Sequence, residues 1–83
     1  MRTPQQELDR LRELAHSLDC LPDEDVQMLG GVKPSTTENW RKRGEGPPYV
    51  LFGNRFLYPR QPLAEFLKKR LRERDSVPAK AVL

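Results

Sequence analysis

Leu8, Leu11, Leu14 or Ala15, and Leu18 recur at steps of three and four residues, the spacing of one apolar face on an amphipathic helix that begins near Pro4. A second helix is predicted after Pro22. Asp23, Glu24 and Asp25 suit its positive N-terminal end, Val26 and Leu29 supply its apolar face, and Gly30-Gly31 ends it. Beyond the glycines, Val32 is apolar and Pro34 is placed for a helix start. Ser35-Thr36-Thr37-Glu38 reads as a capping box for a third helix that runs to Arg43 and stops at Gly44. The pattern then changes to β-prone runs at residues 49–52 and 55–58, separated by Gly53-Asn54, a pair able to supply the positive φ of a two-residue hairpin turn. Pro59 ends the second strand, and Pro62 sits where a fourth helix can begin. The stripe of Leu63, Phe66, Leu67 and Leu71 then continues until the helix frays near Asp75.

These elements divide the chain into an N-terminal amphipathic helix over 1–20, a mainly α domain over 21–74, and a tail over 75–83. The domain carries a small β-hairpin at 49–58 and a C-terminal helix at about 62–74; the tail lacks periodicity and is expected to be disordered. Eighty-three residues, 36% hydrophobic and 33% charged, allow one thin core and make an enclosed pocket an unexpected feature. Two short helices joined by a glycine-containing turn form the helix-turn-helix pattern, which many αα-hairpins share. The hairpin that follows makes the pattern more specific.

Charge sharpens the picture. Residues 1–34 hold four basic and seven acidic residues, net −3, whereas residues 35–83 hold eleven and five, net +6. An anionic partner is expected for the second half. The single cysteine, Cys20, and single histidine, His16, support neither an intrachain disulfide nor a metal site built by this chain alone. Gly44-Glu45-Gly46 lacks the Lys-Ser/Thr of a phosphate loop, and Asp23, Glu24 and Asp25 face different directions at a helix start. No enzymatic activity and no cofactor are expected. No apolar run approaches the length of a membrane span and the start lacks a signal h-region, so a soluble, cytoplasmic protein of a bacterial or phage-infected cell is expected.

Stepping about 100° per residue along the third helix turns Thr36, Thr37 and Trp40 one way, with Trp40 as core anchor, and Ser35, Glu38, Asn39 and Lys42 the other. The second set can hydrogen-bond base edges: Asn39 with adenine, Glu38 with cytosine, Lys42 with guanine or a phosphate. Arg41 and Arg43 lie at the edges of that face, placed for the phosphate backbone, and Arg55 beside the hairpin turn is a further contact.

The motifs at residues 32–41, 43–50 and 53–55, with Tyr58, Leu63 and Phe66-Leu67, resemble those of the excisionase and AlpA-type regulators of the MerR superfamily, over roughly residues 21–67. The resemblance implies a winged helix-turn-helix DNA-binding domain, here preceded by an extra N-terminal amphipathic helix. It implies a recognition helix in the major groove, using Ser35, Glu38, Asn39 and Lys42, a hairpin wing on the adjacent backbone or minor groove, using Asn54 and Arg55, and bending of the DNA; Thr36, Arg41 and Arg43 complete the expected DNA-binding residues. Double-stranded DNA is the implied partner, for a transcriptional regulator or a recombination directionality factor. Lys33 stands where the family usually has a serine cap, and Leu51 and Leu57 where relatives commonly carry polar residues. The first helix is expected to cover Leu51 and Leu57 within the chain, or else to form a homodimer or cooperative assembly on DNA. The alternatives are a protein-interaction module that binds a recombinase or another protein through the leucine face and the first helix, and a DNA-packaging or replication accessory factor.

Overall fold

The computed structural model describes residues 3–71. They form a mainly helical structure with helices α1 (Pro4–Ser17), α2 (Asp23–Gly30), α3 (Pro34–Arg43) and α4 (Arg60–Lys69). Strands β1 (Cys20–Pro22), β2 (Val50–Phe52) and β3 (Arg55–Pro59) make one antiparallel sheet of order β1-β3-β2. No helix among the described residues is long and apolar enough to cross a membrane.

Local chemistry sets the helix ends. Thr3 and Gln6 close a reciprocal capping box on α1, with Gln6 N–H donating to Thr3 Oγ1 at 3.1 Å and Thr3 N–H to Gln6 Oε1 at 2.8 Å. Asp19, at φ 61, turns the chain out of α1, and its carbonyl accepts from Arg60 N–H at 2.9 Å where α4 begins. Left-handed glycines end the next two helices, Gly31 after α2 and Gly44 after α3. The capping box expected at Ser35 and Glu38 does not form. Pro34 takes the first helical position, where its fixed φ is favourable, and draws Ser35 into the first turn, so Lys33 is the cap residue, and its ammonium can accept no hydrogen bond from the helix. Helix α4 likewise begins at Arg60, two residues before Pro62. It ends at Lys69, with Arg70 as its cap residue, short of the predicted end, while residues 72–74 and the tail lie outside the described residues.

The hairpin pairs Val50 with Leu57, Leu51 with Phe56 and Phe52 with Arg55. Of its two turn residues only Gly53 has positive φ, at 62. The register corrects the expected role of α1. Leu57 shares its sheet face with Val50, so Leu51 projects to the opposite face and one helix cannot cover both leucines. Leu57 is 9% exposed and Leu51 61%. Helix α1 instead packs against β1, a strand absent from the sequence reading, whose Cys20, Leu21 and Pro22 pair with Pro59, Tyr58 and Leu57. The division placed after residue 20 therefore runs through a strand of the shared sheet.

The core gathers Ala15, Val26, Leu57, Tyr58 and Leu63 with Pro22 and Thr37. Trp40, expected as its anchor, is half-buried instead. Its ring covers Gly46, where φ is 81 and an added Cβ would stand 2.9 Å from Trp40 Cβ and 3.0 Å from Cδ2 and Cε3. Both the backbone angle and the close approach require glycine there.

Gly46→Ala is accordingly expected to destabilise the domain by about 1–3 kcal/mol. Leu57→Ala should cost about 2–5 kcal/mol and Leu51→Ala no more than about 0.5 kcal/mol. Urea unfolding of the three variants checks all of these, and equal losses at the two leucines would contradict the register.

Candidate nucleic-acid interface

The consecutive acids that open α2 splay around the helix, and each meets a cation from a different element. Asp23 pairs with Arg41 of α3 at 2.9 Å, Glu24 with Arg55 of β3 at 3.7 Å, and Asp25 with Arg12 of α1, with His16 Nε2 at 3.5 Å. Asp23 is the most heavily used. Its Oδ1 accepts from Arg41 and from the Tyr58 hydroxyl, each at 2.9 Å, while Oδ2 accepts from Gln27 at 2.8 Å and from Thr37 Oγ1 at 3.2 Å. Arg41 also donates to the Tyr58 oxygen at 2.7 Å and lies 3.8 Å over the centroid of Phe56.

Burial, and then the hydrogen bond to Asp23, push the Tyr58 hydroxyl up to about 12 against the opposing pull of Arg41. Burial works against the charge on Arg41, but Tyr58 and Asp23 outweigh it and hold its pKa above the ordinary value. This is a correction to the reading of Arg41 as a backbone contact: the guanidinium is turned inward and committed to neighbours on α2 and β3. Asp23 had been assigned only to the helix dipole. A phenol at position 58 of a half-buried strand needs a hydrogen-bond partner, which was the one signal for this network in the sequence.

With Thr37 at 0% exposure and Trp40 and Arg41 partly covered, the outer side of α3 consists of Ser35, Glu38, Asn39, Lys42 and Arg43, all exposed. Thr36 is half-buried at the border. Glu38 and Lys42 are paired at 3.3 Å, leaving Asn39 between them without an internal partner. Lys33 and Arg43, exposed at the two ends of the helix, make no ion pair among the described residues. Lys33 had not been read as a site residue.

Asn54 and Arg55 lie at the hairpin tip, with Arg55 exposed and tied only to Glu24. The hairpin stands beside the outer side of α3, since Glu38, Arg41 and Lys42 line one groove with Tyr49 and Phe56. Tyr49 packs edge-on against Phe56 with centroids 5.5 Å apart, which fixes the base of the hairpin under Arg41. A separate apolar groove of about 160 Å³ lies between α2 and α4, lined by Val26, Leu29, Trp40, Pro47, Leu63 and Phe66 among others. Comparisons with protein-family models, with curated proteins and with solved structures find no match to this chain.

The raised Tyr58 hydroxyl sets a pH dependence. The folded state holds the phenolic proton more tightly than the unfolded chain, so this contribution is complete below a pH of about 10 and is lost as pH rises through about 12. Melting temperature should therefore fall across that interval. Tyr58→Phe, although less stable at neutral pH, should show a shallower fall, and parallel profiles would contradict the network.

Proposed function

We propose that this chain is a winged helix-turn-helix protein that binds double-stranded DNA, reading sequence with α3 and touching the adjacent backbone or minor groove with the β2–β3 hairpin. One observation carries the reading. The outer side of α3 presents Asn39, Glu38 and Lys42 in a row that no element among the described residues covers, bracketed by Lys33 and Arg43, which make no ion pair among those residues. A ten-residue helix is about 15 Å long, so cations at its two ends can reach the phosphates on either side of a major groove about 12 Å wide. The side chains between them then face base edges. Asn39 suits bidentate pairing with adenine, and the Glu38–Lys42 pair must open or reorganise before either member contacts a base.

Affinity in this reading comes mainly from phosphates, through Lys33, Arg43, Arg55 and the exposed Lys68 and Lys69 of α4, while Arg41 holds the helix in place. The biological role that fits a small DNA reader of this kind is a transcriptional regulator or a recombination directionality factor of the AlpA and excisionase type, without an enzymatic activity or cofactor of its own. A packaging or replication accessory role would use the same contacts. The groove between α2 and α4 favours a second reading, a protein-interaction module, because its lining is almost wholly apolar and it lies behind Trp40, away from the outer side of α3.

Selection of bound duplexes from a random DNA pool near physiological salt, followed by titration of the enriched duplex against a scrambled one, tests the proposal. An enriched motif is expected. Failure to bind any duplex would pass the case to the protein-interaction reading.

On the enriched duplex, Asn39→Ala should cost about 1–3 kcal/mol while leaving scrambled-duplex binding nearly unchanged. Arg43→Ala and Arg55→Ala should each weaken all sequences alike and lower the salt slope by about one. Arg41→Ala should show itself first as lost stability in a melting curve rather than as a changed slope, because its loss leaves Asp23 without its cation.

A further inference from the structure

Exposure of the apolar side chains along the hairpin runs opposite to what burial would produce. From the base outward, Tyr49 is 39% exposed, Val50 46%, Leu51 61% and Phe52 75%. The most exposed of these is the largest apolar residue at the tip, directly before the turn glycine. Gly53 has nothing within 4 Å of where a Cβ would stand, so the turn itself projects into open space. The base, by contrast, is held: Tyr49 packs on Phe56, Arg41 covers Phe56, and Leu57 and Tyr58 are buried. A stiff ribbon thus presents an uncovered aromatic ring at the end of a run of exposed apolar side chains, Val50, Leu51 and Phe52, and a contiguous apolar surface of this kind marks a contact site.

Electrostatics does not account for this tip. Arg55 is its one cation, and Glu24 already stands 3.7 Å from it. A hairpin built only to lie along phosphates would carry more positive charge and no phenylalanine. The composition does suit a nucleic-acid surface of another kind. No Asp or Glu occurs from Gly46 to Ala64, and the residues next to Phe52 around the turn are Asn54 and Arg55. Asparagine and arginine beside a projecting apolar side chain is the combination with which proteins enter the minor groove, reading its acceptors while the apolar group wedges between base pairs.

We infer that Phe52 is a wedge that inserts between adjacent base pairs from the minor groove next to the major-groove site of α3, with Asn54 contacting the groove edge and Arg55 the adjoining phosphate. This rests on the DNA-binding reading and adds to it a specific deformation of the duplex and the residue that causes it. Positions beside the α3 site would then be selected by how easily a base step unstacks, without a hydrogen bond to it.

The test uses the full chain and the duplex enriched from the random pool, with 2-aminopurine placed in turn at each position flanking the α3 contact. Wild-type protein should raise the fluorescence at one step, which marks unstacking. Phe52→Ala should abolish that rise and weaken binding by about tenfold on the intact duplex. On a duplex carrying a mismatch at the same step, where unstacking is already made easier, the loss should shrink to about twofold or less. Phe52→Leu should keep part of the signal. Because Phe52 is exposed, its variants should melt with wild type, which separates a binding effect from misfolding. Binding without a fluorescence change at any position, or a rise that survives Phe52→Ala, overturns the wedge while leaving the DNA-binding reading intact. Phe52→Lys offers a second discriminator: tighter binding by this variant would mean that the tip lies along phosphates, and would also overturn the wedge. Absence of any duplex binding by wild type overturns both.

Discussion

The Asp23 carboxylate is the point on which the rest of the structure depends. It stands at the first position of α2 and is reached by a guanidinium from α3, a phenol from β3 and a hydroxyl from the buried side of α3. Remove it, and Arg41, Tyr58 and Thr37 each lose a partner in a place that water reaches poorly, a cost that a domain of this size has little stability to absorb. A thin apolar core would not by itself fix the angle between α2 and α3. The network does, because an acceptor of fixed position must be met by donors from both neighbours. Its two flanking acids extend the same principle outward, Asp25 to α1 through Arg12 and Glu24 to the hairpin through Arg55.

This arrangement explains how a chain with so much charge keeps its outer α3 surface free. Arg41 is withdrawn from the surface and stacked on Phe56, so the helix is anchored by a cation instead of by a large apolar side chain. Trp40, which a simple reading would bury at the centre, is released to the rim and closes over Gly46. The exposed side is left with polar groups suited to a hydrogen-bonding surface, where the one cation between the ends, Lys42, is paired with Glu38.

The helices were legible because their signals are local. Pro4, Gly31, Gly44 and the proline at the start of α3 act within a few residues, and so does the hairpin turn at Gly53. The phase of α3 was also legible, and it separated Ser35, Glu38, Asn39 and Lys42 from Thr37 and Trp40. Arg41 was misplaced because its charge was allowed to outweigh its position. Four residues after Thr37, it belongs to the buried side by helix arithmetic, and only Asp23, eighteen positions earlier, makes that burial tolerable. Strand β1 escaped because three residues ending in proline carry no alternation, and its partner in the ladder lies far along the chain. The leucine pair was misread although the two-residue turn had been placed, since that turn pairs Phe52 with Arg55 and so puts Leu51 and Leu57 on opposite faces.

The pairing of β1 with β3 has a consequence for how the molecule is made. Cys20 meets Pro59, and Asp23 meets Tyr58 across thirty-five residues, so β1 has no ladder partner until β3 is in place, whereas β3 finds β2 across a two-residue turn. During synthesis α1, α2 and α3 can form as they leave the ribosome, yet the acid that orders them has no phenol to bind, and the sheet has no central strand, until residues near 59 have emerged. The nascent chain therefore leaves Asp23 without its phenol and β1 without its ladder until β3 has been made, so the contacts that tie the two ends of the sheet together are of long range in sequence and form late.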